Sequence, residues 1–125
     1  MGKLLMDVVL PRLANPLHRQ LKRYRAGELD DDQFTQNFEE LLQKLYAWLA
    51  KRGVSEARAA LAIHGAVLVL SGPGLRAEAE ELGLPLEVVE QRALRCAAQD
   101  LASSYGVDEG KATRQIASII ARYGE

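Results

Sequence analysis

A glycine joint recurs along this chain and constrains its fold more than any other feature. It reads Arg52-Gly53-Val54-Ser55, Leu82-Gly83-Leu84-Pro85 and Tyr105-Gly106-Val107-Asp108. In each, glycine stands where a helix must end. It takes the left-handed conformation without a Cβ penalty, and the apolar residue after it packs back on the last turn. Ser55 and Asp108 then suit a helix N-cap, and Pro85 suits a first helical turn. The joints predict a series of short-linked helices and leave function open.

Apolar residues at 48% and charged residues at 26% match a globular chain, and 125 residues are enough for one domain with a real core. The net charge of −1 argues against a general polyanion binder. The charge is unevenly spread, however. Residues 1–26 carry Lys3, Arg12, Arg19, Lys22, Arg23 and Arg25 against Asp7, a balance of +5. Residues 27–56 carry seven acids against Lys44, Lys51 and Arg52, a balance of −4, and the remainder carries −2. Such asymmetry is either a binding footprint or two segments that lie side by side and neutralise each other.

Cys96 is the sole cysteine, which excludes an internal disulfide and fits a reducing compartment, so a cytoplasmic location is expected. Asp7 interrupts the apolar start, which is unlike a secretory leader. The longest apolar run, Ala59 to Leu70, carries His64 and falls short of the roughly 20 residues that a membrane span needs.

Six helices are expected. The first occupies much of 3–26, broken or bent by Pro11 and Pro16, with Leu10, Leu13, Leu17, Leu21 and Tyr24 as its apolar stripe. Gly27 ends it. Asp30 caps the second, with Gln33 at the capping-box position and Phe34, Phe38, Leu41, Leu42, Leu45, Trp48 and Leu49 as a wide core face. The third, from Ser55 to about Leu70, is apolar almost all round and belongs in the middle of a bundle. Ser71-Gly72-Pro73-Gly74 reads as a break. The last three helices are expected near 75–82, 85–104 and 108–123. No strand signal is present. The expected fold is all-α: one domain over 1–125, a compact bundle of about six helices with the last ones in helix-turn-helix-like pairs, and a candidate subdomain joint at 71–74.

The sharpest motif lies at 75–95. Ala79, Gly83, Leu84 and Val89 supply a small residue where helices cross, a turn glycine and an apolar anchor in the second helix. The stretch from Ala79 to Arg92 resembles the helix-turn-helix of the DNA-binding region of sigma factors. The resemblance implies that the second helix reads DNA, through Gln91, Arg92 and Arg95. Glu87 and Glu90 on that helix, with Glu78, Glu80 and Glu81 before it, oppose the phosphate neutralisation that supplies most non-specific DNA affinity.

Arg12, His18, Arg19, Lys22, Arg23 and Arg25 form the second candidate, a basic side on an amphipathic first helix. That pattern suits a helix lying in a partner's groove or on a membrane surface, and also a bundle helix with a solvated face. His64, alone in an apolar helix, reads as a histidine hydrogen-bonded to a neighbour. Cys96 reads as a small core residue of the fifth helix. No second His or Cys stands at a helical spacing from His64 that would suggest a metal pair. Asp30, Asp31 and Asp32 read as a cap, and 71–74 lacks the Lys-Ser/Thr end of a phosphate loop. No catalytic residue, cofactor or metal is expected.

The expectation is a non-enzymatic helical adaptor or regulatory module. It would bind another protein, or itself, through the basic first helix and the acidic surface near the fourth and fifth. The alternatives are a DNA-binding regulator using 75–95, disfavoured by its acids, and a small-ligand carrier with a pocket near His64.

Overall fold

The computed structural model describes residues 2–124. These form six helices and, among the described residues, no strand: α1 (Gly2–Arg25), α2 (Asp31–Lys51), α3 (Glu56–Leu70), α4 (Gly72–Leu82), α5 (Leu86–Tyr105) and α6 (Glu109–Tyr123). The chain divides into two compact units, Met1–Ser55 and Glu56–Glu125. Ser71–Gly74, the candidate joint, lies inside the second.

Gly27, Gly53, Gly83 and Gly106 all have positive φ, between 68° and 80°. At the first three, the residue after glycine donates its N–H to the carbonyl five back. The pairs are Glu28 to Arg23 at 2.9 Å, Val54 to Leu49 at 3.1 Å and Leu84 to Ala79 at 3.0 Å. This is the Schellman pattern, which satisfies the orphaned carbonyls of a helix end. Gly106 closes differently, donating to Ala102 O at 3.1 Å in the simpler left-handed cap.

In the first unit, α1 and α2 pack on each other. The first helix, expected to be broken or bent, is not broken: α1 runs through Pro11 and Pro16. Each proline frees the carbonyl four residues back, at Asp7 and Arg12, and both of these residues are exposed, so water can take the lost bond. Met6, Val9 and Leu13 are buried on α1 and Leu45 and Leu49 on α2. Tyr24, expected inward, is 39% exposed. The capping box at the start of α2 forms as expected. Gln33 N donates to Asp30 Oδ1 at 2.8 Å, and Asp30 N donates to Gln33 Oε1 at 3.0 Å. Gln20 Oε1 accepts from Asn37 Nδ2 at 2.9 Å across the pair, and the rings of Tyr24 and Phe34 stand 5.1 Å apart.

In the second unit, α3 packs on α4, α5 and α6, the central place that its all-round apolar surface requires. Ala59, Ala60, Ala62, Ile63, Gly65 and Ala66 are buried on it. Val67 to Leu70, which has strand-like composition, continues the helix. The break after it is narrower than expected. Gly72, Pro73 and Gly74 are the first turn of α4, because proline's missing donor is an orphan there anyway. Only Ser71 separates the helices, its hydroxyl donating back to Val67 O at 2.7 Å, and α3 and α4 meet at 57°. At the start of α6, the Asp108 carboxylate accepts from Lys111 N at 2.8 Å.

Candidate interaction surfaces

The bases of α1 separate into two groups. Arg12 and Arg23 are engaged within the first unit. The Arg12 guanidinium stacks on Trp48 of α2, 3.7 Å from the ring centre, and Arg52 stacks on the same ring at 3.7 Å. Arg52 also donates to Trp48 O at 3.4 Å. Arg23 pairs with Glu28 at 3.5 Å, both well exposed. His18, Arg19, Lys22 and Arg25 are exposed, and their side chains form no ion pair or hydrogen bond with the described residues. At 100° per residue these four fall within one third of the helix circumference, facing away from Met6, Val9 and Leu13. The Arg12–Trp48–Arg52 stack is the feature that sequence reasoning missed. Trp48 and the C-cap residue Arg52 are four apart at the end of α2, which is a visible signal, but Arg12 joins them only through the tertiary pairing of α1 and α2.

At the end of the hairpin, the Tyr24 hydroxyl donates to the Asp31 carboxylate. That bond, together with the carboxylate's negative charge, raises the tyrosine above its ordinary value of about 10.

In the second unit, α4 and α5 pack on each other across the turn at Gly83. Ala79 is 4% exposed, Val89 is 1% exposed, and Gly83 makes the left-handed turn between them. Arg92 and Arg95 are exposed, and Val88 beside them is 44% exposed. Helical spacing puts Glu87 and Glu90 on a different side of α5 from these arginines. Gln91 is drawn toward that other side, where it lines a cleft.

The cleft has a volume of about 510 Å³. Leu68 and Val69 of α3, the first turn of α4, Leu86 to Leu94 of α5 and Ala117 to Gly124 of α6 border it. Its cause is topological. Both α4 and α6 pack on α5 and on α3, but not on each other, which leaves a trough between them. Most of its lining is apolar, with Arg76, Glu90, Gln91 and Tyr123 as the members that carry polar groups. It does not include His64, whose Nδ1 lies 2.8 Å from Ala60 O, the neighbour bond expected of it.

Cys96, expected in the core, is exposed. Val89 lies seven residues earlier, at nearly the same angle on α5, and is buried, so that helix face is covered at its start and open further along. Among the described residues no group of three or more His, Cys, Asp or Glu is placed to hold a metal. No single helix among them is long and apolar enough to cross a membrane; α3 and α4 together reach the length only as a span broken by 57°. Comparison of the chain with known protein families, with characterised proteins and with solved structures finds no match in any of the three.

Proposed function

We propose that this chain is a non-enzymatic interaction module, an adaptor or regulatory protein of the cytoplasm. It binds another protein through the basic side of α1 and the acidic surface of α4 and α5. The observation that carries the reading is the strip His18, Arg19, Lys22 and Arg25, four exposed bases with no anionic partner among the described residues. A patch of one sign steers a partner of the other and raises association rate more than affinity. The acids Glu78, Glu80, Glu81, Glu87 and Glu90 are exposed likewise and give a surface of opposite sign.

The test is a pull-down from native lysate, with and without nuclease, using the wild type and the triple variant Arg19→Glu/Lys22→Glu/Arg25→Glu. Arg12 and Arg23 stay, because both serve the fold. A specific protein that survives nuclease and is lost with charge reversal supports the module. Capture that charge reversal leaves intact refutes the α1 surface.

One observation favours a second reading, DNA binding by the helix-turn-helix. The exposed side of α5 carrying Val88, Arg92 and Arg95 is free of acids. It predicts capture that disappears with nuclease, binding that weakens steeply with salt, and loss on Arg92→Ala/Arg95→Ala.

A further inference from the structure

We infer that the basic strip of α1 docks on the acidic outer side of α4 in a second copy of this chain. This rests on the interaction-module reading and names its partner. The strip, His18, Arg19, Lys22 and Arg25, is exposed and forms no ion pair or hydrogen bond with the described residues. Its complement stands in the same sequence. Residues 76–90 carry five exposed acids, Glu78, Glu80, Glu81, Glu87 and Glu90, against Arg76 alone. Arg76 lies one turn before Glu80 and shares the cleft with Glu90. Glu78 and Glu81 are different. At 100° per residue they lie about 60° apart, facing away from the buried Ala79 and about 140° or more from Arg76. No base on α4 is near them, and neither forms an ion pair with the described residues.

Spacing and helix ends sharpen the match. Glu78 and Glu81 are three residues apart, as are Arg19 and Lys22, and Lys22 and Arg25, a rise of about 4.5 Å in each case. Two helices lying side by side can therefore bring two cation–carboxylate pairs into register. Lys22 and Arg25 are in the last turn of α1, where cations suit the negative end of the dipole. Glu80 and Glu81 are in the last turn of α4, where no base accompanies them and carboxylates add to that negative end. A cation from outside relieves it. Leu82, 52% exposed, borders Glu78 around the helix. The methylene stems of Lys22 and Arg25 can cover it while their charged heads reach the carboxylates.

The test is sedimentation of four purified forms over a concentration series reaching about 1 mM, because surface ion pairs are individually weak. Reductant is present throughout, since Cys96 is exposed. The forms are the wild type, Arg19→Glu/Lys22→Glu/Arg25→Glu, Glu78→Lys/Glu81→Lys, and the chain carrying all five changes. Circular dichroism melts establish that each is folded. The wild type is expected to gain mass with concentration at low salt and to return to monomer as salt rises, since the screening length falls to about 3 Å at 1 M. Each partial variant sets like charges against each other and should associate roughly tenfold or more weakly. Mixed, the two should form a complex that neither forms alone. The five-change chain, with both signs exchanged, should associate again.

A wild type that stays monomeric throughout overturns the proposal. So does association that one variant loses and the mixture does not recover, because the two surfaces then do not meet each other. Association that disappears on nuclease treatment overturns it in favour of a nucleic-acid bridge. A monomeric wild type whose capture from lysate still depends on Arg19, Lys22 and Arg25 overturns the second copy and leaves the module reading standing. Self-association that follows the charge exchange, with no other protein captured, upholds the proposal and removes a separate partner.

Discussion

Gly65 lies where α3 crosses α6, and the crossing has no room for a side chain. A Cβ built there would stand 2.8 Å from Ile119 Cδ1 and 3.1 Å from its Cγ2, against an optimum of about 3.5–4.0 Å for carbon pairs. Gly65→Ala therefore sets two effects against each other. Helix propensity favours alanine by about 0.8–1.0 kcal/mol. Overpacking of a filled core costs about 1–3 kcal/mol. The expected net is a destabilisation of about 1 kcal/mol. Ile119→Val removes Cδ1, the nearest atom, and by itself costs about 0.5–1.5 kcal/mol, toward the lower end because Ile119 is only half-buried. In the double variant the tightest contact is gone while the propensity gain remains. The two changes should thus be less damaging together than their sum, by about 1 kcal/mol. Urea unfolding followed by circular dichroism measures all four forms. Trp48, the sole tryptophan, lies in the first unit, so its emission reports on that unit and not on this crossing. Additivity within about 0.3–0.5 kcal/mol would refute the steric argument. So would a Gly65→Ala protein that is more stable than wild type by the full propensity gain.

Gly83 has φ 68° with nothing within 4 Å of a built Cβ, so any cost of replacing it is backbone strain alone. Gly83→Val should lose at least about 1–2 kcal/mol and Gly83→Asn clearly less, since asparagine tolerates the left-handed region; thermal melts of the pair decide it. Asp30→Ala removes one half of the capping box and should cost about 0.5–2 kcal/mol in urea unfolding, with Asp30→Ser restoring most of it. Tyr24 holds its proton more tightly folded than unfolded, so its contribution is intact below about pH 10 and is lost as pH rises through the raised folded value. Ultraviolet titration should show the tyrosine moving back toward its ordinary value in Asp31→Asn, and no movement would refute that cause. Arg12→Ala should cost about 0.5–1 kcal/mol through the lost stacking and should change Trp48 emission.

The joints were legible because they are local. Glycine, the apolar residue after it and the cap two residues on lie within one short window, and their geometry needs no distant partner. Asp30 with Gln33 was legible for the same reason. Where reading by spacing erred, the deciding fact was elsewhere in space. Pro11 and Pro16 read as a break or a bend because the rule concerns a lost backbone bond; the break is absent, since its cost depends on whether the freed carbonyls reach water, and Asp7 and Arg12 are exposed. Cys96 read as core from its place near the inner side of the fifth helix, yet it is exposed while Val89, at nearly the same helical angle, is buried. The cleft has no signal at all in one dimension. It exists because two helices that each pack on α3 and α5 fail to meet.

The basic segment shows why a count of charge cannot stand for a surface. Six candidate bases on α1 look alike in sequence, yet Arg12 is spent on Trp48 and Arg23 on Glu28. Neutralisation of α1 by α2, the plainer expectation, is therefore partial. Two acids at the start of α2 take other work, the N-cap Asp30 in the capping box and Asp31 on Tyr24. The residual strip is smaller than the sequence balance of +5 suggests, but it is better defined, because His18, Arg19, Lys22 and Arg25 are what remains after the fold has drawn its own contacts. Mutating all six would mix lost stacking with lost binding. Reversing only Arg19, Lys22 and Arg25 changes the surface while leaving the indole stack and the Arg23 pair in place. If that triple variant lost stability as well as capture, these side chains would be holding the fold, and the surface reading of α1 would have no observation left to carry it.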